Sequence, residues 1–144
     1  MSVLSFSCTV HAPMENIWNT LMDEVEHPEA YNAGILGVSI LERFHDGVLR
    51  SVQVPDADVR EKVIFDYENK VVESKLVGHP SLVGVIKKVI SPSTTHPQSF
   101  VLESHIQWEA IDDRVDGMIR RNMESFITKG LEQVKERAEA KTQG

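Results

Sequence analysis

Val10-His11-Ala12-Pro13-Met14-Glu15-Asn16-Ile17-Trp18 is the stretch on which the fold turns. Just before it, Leu4, Phe6, Cys8 and Val10 alternate with Ser5, Ser7 and Thr9, the period of a strand with one wet face. Ala12-Pro13 ends that strand, and Pro13 suits the first turn of a helix, where its missing N–H would have no partner anyway. The helix is expected over about Pro13 to Asp23, with Ile17, Trp18, Leu21 and Met22 on one stripe. Pro28 and Asn32-Ala33-Gly34 bound a second, shorter helical or turn segment around Glu29 to Tyr31.

Outward from there the pattern changes to strands. Val38 to Phe44 and Val48 to Val54 read as a hairpin, because Asp46-Gly47 supplies the positive φ angles of a tight turn. Val59 to Tyr67 and Lys70 to Val77 form a second hairpin about Glu68-Asn69, followed by the breaker Gly78-His79-Pro80. Leu82 to Ile90 is a further strand, Ser91 to Pro97 a polar loop, and Phe100 to Ala110 closes the sheet. With hairpin-length links throughout, the roughly seven strands are expected to pair antiparallel.

About Arg114 to Ala140 remains as one long helix, with Asp112 or Asp113 placed to cap its start and Lys141 to Gly144 expected to fray. Val115, Ile119, Met123, Phe126, Ile127, Gly130, Leu131 and Val134 share its apolar face, while Arg121, Glu124, Thr128, Glu132 and Lys135 share the other. Such a stripe demands a partner surface, and the inner face of the sheet is the large one available. The fold class is therefore α+β, one domain over residues 1–144.

Bulk properties narrow the partners. A formal charge of −7 and a pI near 5.3 repel phosphate backbones, so nucleic acid is not an expected partner. Cys8 is the single cysteine, which rules out an intramolecular disulfide and a multi-thiolate zinc site. No run approaches the roughly 20 apolar residues of a membrane span, and a cytoplasmic location is expected. The six histidines make no metal pattern, and there is no nucleophile elbow, phosphate-cradling loop or dinucleotide fingerprint. No metal, no cofactor and no assignable catalytic residue are expected.

The order strand, Ala-Pro-led helix carrying Ile17-Trp18, short second helix, antiparallel strands and one long terminal helix resembles the helix-grip fold of the START and polyketide-cyclase (SRPBCC) superfamily, closest to a small bacterial branch of it. The resemblance spans nearly the whole chain and is sharpest at Val10 to Trp18. It implies a cavity between a curved sheet and the terminal helix. Superfamily members include lipid carriers, hormone and metabolite binders, aromatase/cyclases and co-chaperone-type activators, so the fold alone does not choose among functions.

Residues that would line such a cavity follow from alternation. Phe100, Leu102, Ser104, Ile106 and Trp108 share one face of the last strand, and Val63, Phe65 and Tyr67 turn inward from an earlier one, leaving Arg60, Lys62 and Asp66 outside. Met123, Phe126, Ile127 and Gly130 come from the helix. Ser104 and Tyr67 are then polar tips in an apolar lining, either of a small-molecule pocket or of a filled core. Gly130 either leaves room for a ligand or a bend, or lets the helix approach the sheet closely. Arg50 groups with Val48, Val52 and Val54, and Glu42 with Val38, Ile40 and Phe44 on the neighbouring strand. An Arg50–Glu42 pair is expected, either orienting a ligand inside the cavity or acting as a structural cross-strand pair. The leading expectation is a non-enzymatic monomer or homodimer that binds a small, largely hydrophobic lipid-like or polyketide-like molecule. The alternative is an aromatase/cyclase-type enzyme using the same cavity.

Overall fold

A computed structural model describes residues 2–55, 57–80, 82–111 and 116–143, with side chains at all of these except 2, 116–120, 142 and 143. Strands β1 (Ser2–Val10), β2 (Gly37–Phe44), β3 (Gly47–Val54), β4 (Ala57–Asp66), β5 (Val71–Val77), β6 (Leu82–Pro92) and β7 (Phe100–Ala110) form one antiparallel sheet in the order β1-β7-β6-β5-β4-β3-β2. From β2 to β7 each strand pairs with the next in the chain, as hairpin-length links require. β1 and β2 lie at opposite edges, so helix α1 (Met14–Glu26) and a single 3₁₀ turn (Pro28–Ala30) carry the chain from one edge to the other. The expected second helix is only that turn.

Helix α2 (Asp116–Gln143) packs against α1, β1 and β7. Ile127, Leu131 and Val134 of the expected stripe are buried, and Ala138 extends the stripe by one more turn. Val115, the side chain of Ile119 and both expected caps, Asp112 and Asp113, lie outside the described residues. The helix runs to Gln143. Beneath its C-terminal half, Val10, Ile17, Leu21 and Leu102 form a core with almost no exposure, which Ile106 and Trp108 continue along β7. On β7 the inward set is the one that alternation gives.

Two turns depart from expectation. The first hairpin loop is His45-Asp46, and among the described glycines only Gly78 has positive φ. Gly47 is glycine for another reason: a Cβ there would stand 2.0 Å from the Val63 carbonyl oxygen of β4. In the second hairpin β4 ends at Asp66, whose carboxylate accepts from the Asn69 N–H at 3.1 Å, while Lys70 takes φ 56°. Tyr67 therefore sits in the turn just past β4, with its ring edge-on to Trp18 of α1.

The far end of α2 is fastened to the start of α1. Lys135 donates to the Thr9 carbonyl at 2.6 Å, and Glu139 accepts from the His11 N–H at 2.8 Å and from Lys135 at 3.0 Å. Burial raises the Glu139 carboxyl, but these two donors outweigh it and hold the group below its ordinary value. A depressed carboxylate contributes stability that is present above the unfolded-state pKa and is lost as pH falls through the folded one. Glu139→Gln is thus expected to lose about 1 kcal/mol at neutral pH and to match the parent protein in acid, a convergence that urea unfolding across pH measures.

Candidate functional site

Where the core gives way to the N-terminal half of α2, the sheet is not filled. Val59 and Glu61 of β4, Ser74 and Leu76 of β5, Leu82 and Ile86 of β6 and Ile106 of β7 face Met123, Phe126 and Ile127 of α2 across a half-open cavity of about 420 Å³. That volume lies within the usual range for small-molecule sites, and so does the composition, apolar with few polar tips. Phe126 stands at the rim, 39% exposed.

Next to the chamber lies a throat of about 80 Å³ that shares Glu61, Ser74, Ile86, Phe126 and Ile127 with it as lining and adds Glu24, Arg50, Lys88 and Gly130. Two ion pairs meet here. Arg50 Nη2 donates to Glu61 at 3.2 Å, and Lys88 donates to Glu24 of α1. All four side chains are 11–20% exposed. Arg50 also closes the end of α1, its Nη1 donating to the Val25 carbonyl at 2.7 Å and, less closely, to that of Glu24 at 3.4 Å. A guanidinium suits that place, because the last carbonyls of a helix lack intrahelical donors and carry partial negative charge. Its Nε is buried without a hydrogen-bond partner among the described residues.

The expected Arg50–Glu42 pair is not formed. A bulge between Ile40 and Glu42 shifts the register, so that Ile40 opposes Arg50 but Glu42 opposes Leu49, on the outer face. Arg43 takes the inward position in its stead and grips Glu26 of α1 through two bonds of 2.6 and 3.0 Å. Arg50 finds Glu61, directly opposite on β4.

Of the residues singled out from sequence, Arg50, Met123, Phe126, Ile127 and Gly130 come together around chamber and throat. Glu42 and Tyr67 are exposed, the latter at 48%, with its hydroxyl on Glu15 and its ring edge-on to Trp18. Leu102 and Ser104 are in the filled core at 0% exposure, where the Ser104 hydroxyl has no partner among the described residues, and Phe65 packs against that same core. Sequence alone draws no attention to Glu24, Glu61 or Ser74, and it reads Lys88 as half of a solvated Lys87–Lys88 doublet, whereas Lys88 is 20% exposed and paired with Glu24. The alternation that puts Arg60 and Lys62 outside puts Glu61 inside, and Lys88 shares parity with the inward Ile86 and Ile90, so both were readable. Ser74 follows the same rule on β5, whereas Glu24 lies beyond the expected end of α1 and gave no signal.

Gly130 faces the throat, not a backbone. A Cβ there would meet only the Glu24 carboxylate, at 3.7 Å, an ordinary contact. Gly130→Ala is therefore expected to raise stability by about 0.5–1 kcal/mol through helix propensity, read as an upward shift in thermal midpoint. The glycine costs stability, and the space beside it is the throat.

Elsewhere, burial pushes the Cys8 thiol up, away from a poised nucleophile. Among the described residues no three His, Cys, Asp or Glu side chains gather to hold a metal, and no helix is long and apolar enough to cross a membrane.

No protein-family model and no curated protein matches the chain. Solved structures do. The Zhui aromatase/cyclase from Streptomyces sp. R1128 is similar at TM-score 0.79 and 16% identity over 98% of this chain and 95% of that one. XoxI from Bacillus cereus follows at 0.76 and 13%, over 94% of each chain. A START superfamily protein from Mycobacterium smegmatis stands at 0.72 and 17%, over 96% and 97%. At such identities the likeness is one of architecture: the chain has the START/polyketide-cyclase-like helix-grip fold, as the opening motif implied.

Proposed function

We propose that this protein binds a small, largely hydrophobic molecule between the sheet and α2. The observation that carries the reading is the 420 Å³ chamber, walled by aliphatic side chains of four strands and roofed by Met123, Phe126 and Ile127. A half-open apolar cleft of this size beside a filled core has the dimensions and lining of a small-molecule site, which supports the reading. Native mass spectrometry of the purified protein, followed by solvent extraction, is expected to find a co-purifying apolar molecule or a dye that such molecules displace. A protein that neither carries one nor takes up the dye contradicts the reading.

One observation favours the enzymatic alternative: Glu61 and His79 border the same chamber, which places titratable groups against its contents. Under that alternative a poly-β-ketone probe is turned over, and Glu61→Gln abolishes turnover while the probe still binds. Binding without turnover leaves the carrier reading in place.

A further inference from the structure

Resting on that reading, we infer that the polar end of the bound molecule is an uncharged hydrogen-bond acceptor, a hydroxyl or carbonyl, and that the throat discriminates against carboxylates. The throat is charged but neutral in sum. Arg50 and Lys88 bring two positive charges, Glu61 and Glu24 two negative ones, each cation in contact with one carboxylate. A ligand carboxylate brought here would lose its hydration while meeting two carboxylates as well as two cations, whose charge is already compensated. A neutral acceptor loses little hydration on entry.

Arg50 is 9% exposed, its Nη atoms are engaged by Glu61 and the end of α1, and its Nε–H has no partner among the described residues. That nitrogen is itself covered, so the guanidinium stays held between Glu61 and the end of α1, and a neutral head meets the hydroxyl of the throat instead. The room is sufficient: about 80 Å³, several times the roughly 10–15 Å³ that one water needs. The hydroxyl of Ser74 lies at the join of throat and chamber, where it can accept from a ligand hydroxyl or donate to a carbonyl.

The test is a set of probes with one tail and three heads. Decan-1-ol, decan-2-one and decanoate are titrated calorimetrically into the full chain at pH 8, where decanoate is ionised. The alcohol and the ketone are expected to bind at least about tenfold more tightly than decanoate. Glu61→Gln leaves one cation uncompensated and should move the head-group ratio toward decanoate by at least about tenfold, and Glu24→Gln should do the same from the other pair. Two variants on separate pairs keep the test sound should one of them fail to fold. Decanoate binding as tightly as the neutral probes, or a ratio that neither variant moves, overturns this inference while leaving the hydrophobic site standing. Failure of all three probes to bind overturns both.

Discussion

Arg50→Met is expected to lower the unfolding free energy by about 3–5 kcal/mol, because it strands the Glu61 carboxylate in a site only 14% exposed and removes the donor that closes α1. Urea unfolding at neutral pH measures the loss. The double variant Arg50→Met with Glu61→Leu should recover most of it, since replacing both members of a buried pair by apolar groups of similar volume is often neutral. A residue of about 1 kcal/mol should persist from the Val25 carbonyl that no longer has its donor. If the single variant costs less than about 1 kcal/mol, the pair behaves as a surface contact and the throat is wetter than its geometry implies.

Filling the chamber should act on binding and spare stability. Ile86 lies on the inner face of β6, where its side chain borders both chamber and throat. In a filled core a larger residue here would cost about 1–3 kcal/mol through overpacking. Beside an open volume of about 420 Å³, Ile86→Trp has somewhere to go, so its thermal midpoint should stay close to that of the parent. Its indole would occupy the space the ligand needs, and the affinity for decan-1-ol should fall about a hundredfold, roughly 2.7 kcal/mol. A variant that is strongly destabilised yet still binds would mean that the interior beside Ile86 is packed and the ligand sits elsewhere.

These two variants probe opposite ends of one arrangement. The C-terminal half of α2 is sealed onto α1, β1 and β7 by Leu131, Val134 and Ala138, with Lys135 and Glu139 fastened to the β1–α1 connection. The other half roofs the middle strands through Met123, Phe126 and Ile127 without filling the space beneath. One helix thus stabilises the fold at one end and shapes the cavity at the other.

Most of the architecture was legible because it rests on periodicity. Alternation in β1 and β7 and the three-to-four spacing of Ile17, Trp18 and Leu21 depend only on which face is buried, and hydrophobicity reports that directly. The site was less legible because single-residue irregularities decide it. A bulge at Leu41 sends Glu42 outward and Arg43 inward, and nothing in the alternation of the strand reveals one extra residue. Tyr67 is on the helix side of the sheet, against Trp18 and Glu15, but it lies in the turn that ends β4 at Asp66 and so borders neither chamber nor throat. Ser104 has inward parity, as expected, but faces the filled half of the sheet. Parity assigns a face, not a position along it. Arg50 is conspicuous in the sequence as a charge among valines, yet its partner Glu61 comes from β4, where it stands between Arg60 and Lys62 and, unless alternation is applied to it, reads as one more charge of an outer face.

The chamber is tested most directly by intermolecular nuclear Overhauser effects between decan-1-ol and the methyl groups of the full chain. Cross-peaks from the alkyl protons to Ile86, Ile106, Met123 and Ile127, with the carbinol protons near Arg50, are the expected result. Contacts confined to outward-facing methyls such as those of Val77 and Val83, or no contacts at saturating probe, would contradict the placement of the ligand between sheet and helix.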